Sequence, residues 1–130
     1  MPRFILLEHT AAPDDPAGLH YDLLLEEGPQ CRTWRLASIP QPGGPHVHAV
    51  EVTPHRLAWL DHEAGEVSGG RGFARRVGAG SYEPVAAEDH EPDASPDVSV
   101  SLQGTHIAGW LRLRRHGDHW VAWLVPAPTA

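Results

Sequence analysis

Residues 18–25 read GLHYDLLL, with an imidazole and a carboxylate set two apart in a mostly apolar run. On a β-strand His20 and Asp22 point to one face, because successive side chains alternate. His9 ends the preceding apolar run, RFILLEH. A hairpin between the two runs returns His20 beside it. Two imidazoles and one carboxylate are enough for a divalent metal with open positions left over, and manganese, iron, cobalt, nickel and zinc all suit that set. A half-open site of this kind polarises a phosphoryl oxygen or activates water. The same spacing also suits a simple His20–Asp22 pair on a wet sheet face.

A second cluster lies in TPHRLAWLDHEAGEVSGGRGFARR, residues 53–76. His55 precedes an apolar stretch. The SGGRG turn lets backbone approach a ligand closely, and its Arg71 can meet an anion. A plain Gly-rich hairpin with a solvated Arg71 fits the same residues. The remaining histidines have plainer readings. His46 and His48 neighbour PGGP, as at a sheet edge. His116 and His119 flank the polar turn HGDH, His62 lies among acidic neighbours, and His90 falls in an acidic stretch. There is no GxSxG, no P-loop and no CxxC zinc pattern.

The elements that must position these residues are short. Gly and Pro number 13 each and recur throughout the 130 residues, which rules against long helices. Apolar runs at 3–8, 19–26, 33–37, 48–52, 56–60, 98–102, 107–113 and 119–125 alternate at period two between turn residues. Turns at Gly104 and at Gly117–Asp118 make the last three an antiparallel meander. The pattern predicts one all-β domain over 1–130, a compact antiparallel β-barrel with short helical turns and long loops. Residues 10–18 read as a loop free to bulge outward. Residues 83–97, acidic and rich in proline, read as a mobile loop. The five tryptophans are expected to fill the core.

In order, RFILLEH, LHYDLLLE, TWRLASIP, HRLAWLDHEAGEVSGGRG, GSYEP and the LQG…GWLRLRR…WVAWLV ending resemble the 3′-phosphoesterase domain of bacterial DNA ligase D, most closely its short stand-alone relatives. The resemblance runs from Arg3 to about Val125. It implies a compact β-barrel with a manganese site that trims DNA 3′ ends, removing a terminal ribonucleotide and then the 3′-phosphate. By the same resemblance His9, His20 and Asp22 are the metal ligands, and His55 is the histidine near the scissile phosphate. Zinc or cobalt are alternative metals on the donor set alone.

The chain departs from that family in its anion clamp. Leu24 stands where the relatives keep a phosphate-binding arginine two after the aspartate. Ser38 replaces a lysine, Val47 a second arginine, and Thr53 an acidic residue. The gap between His9 and His20 is longer. Phosphoryl transfer depends on neutralising the phosphoryl oxygens, and losing one donor costs ~10²–10³ in rate. Arg71, or Arg56, is the residue offered as a replacement.

The expectation is therefore a manganese-dependent phosphoesterase acting on DNA 3′-phosphate or 3′-ribonucleotide ends, with DNA-repair proteins as further partners. The alternative is a non-catalytic metal-binding module that recognises a DNA end or a protein. A net charge of −7, with all ten basic residues arginine, argues against non-specific binding along a phosphate backbone. The lone Cys31 excludes a disulfide framework. No apolar run approaches ~18 residues and no secretion signal is present, so a cytoplasmic monomer away from membranes is expected.

Overall fold

A computed structural model describes residues 1–86 and 96–127. Most of the acidic stretch read as a mobile loop, with His90 inside it, lies outside the described residues. Nine strands carry the described chain: β1 (Arg3–Thr10), β2 (Leu19–Glu27), β3 (Gln30–Leu36), β4 (Val47–Arg56), β5 (Ala64–Glu66), β6 (Phe73–Pro84), β7 (Val98–Thr105), β8 (Ala108–His116) and β9 (His119–Val125). One 3-10 turn, Leu57–Asp61, follows β4. The order β1-β2-β3-β4-β9-β8-β7-β6 closes through β1–β6 pairing into an eight-stranded antiparallel barrel, with β5 added outside β6. Among the described residues no helix is long and apolar enough to cross a membrane.

The period-two pattern explains how the barrel fills. Phe4, Leu6, Leu23, Leu25, Trp34 and Leu36 point inward from β1, β2 and β3 and meet Leu111, Leu113, Ala122 and Leu124 from β8 and β9. Each large apolar side chain buried this way stabilises the fold by roughly 1.5–3 kcal/mol. Trp34 and Trp120 meet edge to face in this interior. Of the five tryptophans only these two belong to it: Trp59 packs on a second, smaller core, Trp123 stacks on His46, and Trp110 is half-buried.

That second core decides where the site sits. Ile5, Leu7, Leu24 and Cys31 point outward from β1, β2 and β3 and are covered by Leu60 and Trp59 of the 3-10 turn. The stretch 56–60, read as a strand from its alternation, is the end of β4 followed by this turn. Three residues of alternation are too few to tell a strand from a 3-10 turn whose one buried residue is Leu60.

Two glycine-rich regions also depart from the sequence reading. Gly104 makes no turn; it lies inside β7, where an added Cβ would sit 2.5 Å from the Phe4 ring. The chain reverses instead at His106, a non-glycine residue at φ +65. Strand β6, which alternation alone does not reveal, passes through Gly78 and Gly80. The turn at Gly117 is where it was expected, with Gly117 at φ +63 between His116 and His119.

Candidate functional site

Pairing of β1 with β2 sets His9 opposite His20, Leu7 opposite Asp22 and Ile5 opposite Leu24. His9, His20 and Asp22 therefore share the outer face, directly beyond the second core. Their rings and carboxylate converge as the hairpin predicts: the His9 and His20 rings meet edge to face at 4.7 Å. One donor atom from each of the three lies within 4.8 Å of the others. The cluster is not wet. His20 is 3% exposed and Asp22 5% exposed.

The outward-facing nitrogens are already engaged. His9 Nε2 donates to the Arg71 carbonyl oxygen at 2.7 Å. His20 Nδ1 donates to Asp15 Oδ2 at 2.8 Å. A carbonyl or carboxylate on the far nitrogen is what orients metal-binding imidazoles and selects their tautomer. The inward nitrogens face one carboxylate: His9 Nδ1 lies 3.2 Å from Asp22 Oδ2, and His20 Nε2 lies 3.2 Å from Asp22 Oδ1. His20 Nε2 is buried without a hydrogen-bond partner. In the neutral imidazole its lone pair faces a carboxylate oxygen, an arrangement that a cation between them satisfies. The donor set, the orphaned nitrogen and the carbonyl and carboxylate behind the rings all fit a divalent metal.

Protons stand in for that cation otherwise. The Asp22 hydrogen bond raises the His9 pKa above its ordinary value, with burial opposing. Burial pushes the Asp22 carboxyl up, but contacts with the His20 and His9 imidazoles outweigh it and hold the group at about 2. The Asp15 carboxyl is lowered by its hydrogen bond to His20.

His9 and Asp22 of the cluster form one wall of an open groove of about 910 Å³, whose lining also includes Arg35, His55, Trp59 and Arg71. The structure thus brings four of the five sequence candidates, His9, Asp22, His55 and Arg71, to one cavity, with His20 buried behind His9 and Asp22. His55 enters from β4, opposite Cys31. Its Nδ1 donates to the Thr53 carbonyl at 3.2 Å and its ring stands edge-on to Trp59, so Nε2 is the atom left for a ligand.

Arg71 contributes differently from its expected role. Its guanidinium is folded back onto Ser68, with Nε on the carbonyl at 2.6 Å and Nη2 on the hydroxyl at 3.0 Å. Its main-chain carbonyl is what meets His9. Gly72 makes that approach feasible: it sits at φ +95, and a Cβ there would collide with the Thr10 carbonyl oxygen.

Leu24 is wholly buried beneath the site, among Ile5, Leu7 and Leu60. Two participants were not legible as such. Residues 11–18 do not bulge away from the site; they turn toward it and deliver Asp15 to His20 and Asp14 to Arg35. The adjacent aspartates in a loop joining two candidate ligand strands were the available signal. Arg35 sits opposite Asp22 across the β2–β3 pair, which only the strand register reveals. Against this geometry no protein-family model matches the chain, and no curated protein matches it.

Proposed function

We propose that the protein is a metal-dependent phosphoesterase-like protein that acts on 3′-phosphate or 3′-ribonucleotide ends of DNA, with manganese as its metal. The observation that carries this reading is the convergence of His9, His20 and Asp22, with His9 and Asp22 on the wall of the groove that His55 also lines. The resemblance of the ordered motifs to DNA ligase D 3′-phosphoesterase domains supplies the substrate class, and DNA-repair proteins are the partners it suggests.

The chain's own residues divide the work. His9 Nδ1, His20 Nε2 and the Asp22 carboxylate would hold the ion, which when bound supplies Lewis-acid polarisation of a phosphoryl oxygen. Asp15 and the Arg71 carbonyl keep the two imidazoles in the tautomers that binding needs. His55, anchored through Nδ1, presents Nε2 to hydrogen-bond a phosphoryl oxygen or to hand a proton to the leaving oxygen. The apolar floor of Leu7 and Leu24 excludes water from beneath the ligands, which strengthens the charge interactions above it.

A primer-template bearing a 3′-phosphate, incubated with purified protein and manganese, tests the proposal. Phosphate release that disappears in Asp22→Ala is expected. No release above that control overturns it.

A second reading, a metal-binding module without turnover, is favoured by one feature: Leu24 lies in the core and the Arg71 guanidinium is bonded to Ser68, so neither neutralises a phosphate. It predicts metal binding abolished in His20→Ala and no hydrolysis with any divalent ion.

A further inference from the structure

Residue 35 is an arginine directly opposite Asp22 on the neighbouring strand, on the same outer face. Opposed residues of an antiparallel pair have Cβ atoms about 5 Å apart. Arg35 lines the groove with His9, Asp22 and His55, and its charge opposes protonation of His9.

The state of its guanidinium is informative. Nη2 donates to Asp14 Oδ2 at 3.3 Å, a long bond to a side chain that is 73% exposed. Nε, on the same edge, is buried and has no hydrogen-bond partner. That Nε–Nη2 edge is the one an arginine uses to grip two oxygens of a carboxylate or phosphate at once. Here one half is engaged and the other is unpartnered, covered until Asp14 moves away. Of the other arginines nearby, Arg32 makes two bonds to Glu51 and Arg71 is held by Ser68, while Arg56 lines the groove from the exposed end of β4. Asp14 belongs to the same loop as Asp15, yet Asp15 is anchored separately. Its main-chain nitrogen bonds the Ala12 carbonyl, and its Oδ1 accepts from the Ala17 nitrogen. Asp14 can leave Arg35 while Asp15 stays on His20.

We infer that Arg35 is the anion receptor of this site, taking two phosphate oxygens through Nε and Nη2, and that the Asp14 carboxylate is an intramolecular stand-in which a bound phosphate displaces. The ligand class rests on the phosphoesterase-like reading; the receptor and its stand-in rest on geometry. A buried, unpartnered charged donor is unfavourable, and a tetrahedral dianion beside a metal satisfies it more fully than one distant carboxylate.

Calorimetric titration of inorganic phosphate into the manganese-loaded protein tests this, with manganese titrated separately and thermal melts recorded for every variant. Arg35→Met is expected to weaken phosphate binding by about tenfold or more, and Asp14→Asn to tighten it about threefold. Manganese affinity is measured for both variants and phosphate is titrated at saturating manganese, so that a change at the metal is read separately. Arg35→Lys, which keeps the charge and loses the two-nitrogen edge, falls between Arg35→Met and the parent. Asp14 is exposed, so Asp14→Asn tests the inference even where an Arg35 variant folds poorly. Unchanged phosphate affinity in Arg35→Met, or no tightening in Asp14→Asn, overturns the inference. A parent that binds manganese and no phosphate overturns it too and leaves the metal reading standing. A parent that binds no manganese overturns the metal reading instead. The titration run without metal then decides for Arg35: phosphate binding lost in Arg35→Met supports it, and none in the parent overturns it.

Discussion

Two histidine clusters lie on opposite fortunes of the same barrel. His9 and His20 are packed against Asp22 over an apolar floor, each held from behind by an acceptor. His46, His48, His116 and His119 form an exposed band on β4, β8 and β9, with His46 just before β4. There His46 stacks on Trp123 at 4.3 Å, and His119 stacks between His48 and His116 at 5.6 and 5.7 Å. The nearby carboxylate, Asp118, is fully exposed and 3.8 Å from His119. Both regions hold imidazoles, and each contains one pair two residues apart, His20–Asp22 and His46–His48. Only the first combines burial, a shared carboxylate and a fixed tautomer. A count of histidines does not make a candidate metal site; converging lone pairs that cannot turn toward water do.

The sharpest way to break that contrast is metal titration. Asp22→Ala and His20→Ala are expected to abolish manganese or zinc binding in calorimetry, while His119→Ala leaves it unchanged. If His119→Ala removes binding as fully, the exposed band is the metal site and the contrast fails.

The floor is the next difference. Leu24→Arg restores the residue that the resembling enzymes carry, yet here it buries a charge without a partner. A loss of about 3–5 kcal/mol in denaturant unfolding is expected. Unaltered stability would show that the second core opens readily and that an arginine at 24 can reach the groove.

Asp15 is expected to contribute through His20. Asp15→Asn should weaken metal binding by about 10–100-fold. His116→Ala, the counterpart in the exposed band, should leave it unaltered. An Asp15→Asn variant with parental affinity would make the loop contact incidental.

Acid separates the clusters further. The Asp22 carboxyl titrates at about 2 in the folded protein against 3.8 in the absence of its partners. Its contribution, about 2 kcal/mol, is present above pH 3.8 and is lost as pH falls from there through 2. Unfolding free energies across that range should lose this slope in Asp22→Asn. His9 has the opposite sign. Its raised pKa stabilises the metal-free protein below pH 6.5, and that stabilisation is lost as pH rises through the folded value. Because the same proton competes with a metal at Nδ1, metal affinity should climb over the same rise in pH. The smallest effect belongs to the exposed band, where His119→Ala should alter stability by less than about 0.5 kcal/mol.

Much of this was readable before any fold. Period-two alternation in 3–8, 19–26 and 119–125 gives the strands their inward and outward faces, and it alone puts His20, Asp22 and Leu24 on one side of β2. The hairpin pairing of His9 with His20 follows from two adjacent strands and a loop. Gly-rich β6 was illegible because Gly78 and Gly80 erase the alternation that marks a strand, although close packing against Thr105 and Gly104 is what requires them. Arg71 was legible as a candidate anion-binding side chain but not as the carbonyl that accepts from His9, because main-chain positions leave no side-chain signature.

Alternation in the chain thus settled which residues share a face, since side-chain direction along a strand is a local property. Which face becomes core and which becomes site was decided only by closure of the barrel and by the 3-10 turn laid over its outside. Those contacts join residues as far apart as Leu24 and Leu60, or Arg71 and His9. Leu24 became floor because Leu60 covers it, and Arg35 came to stand beside Asp22 because β3 pairs with β2 in one register. Distances of that kind depend on long-range pairing, which no short stretch of sequence contains.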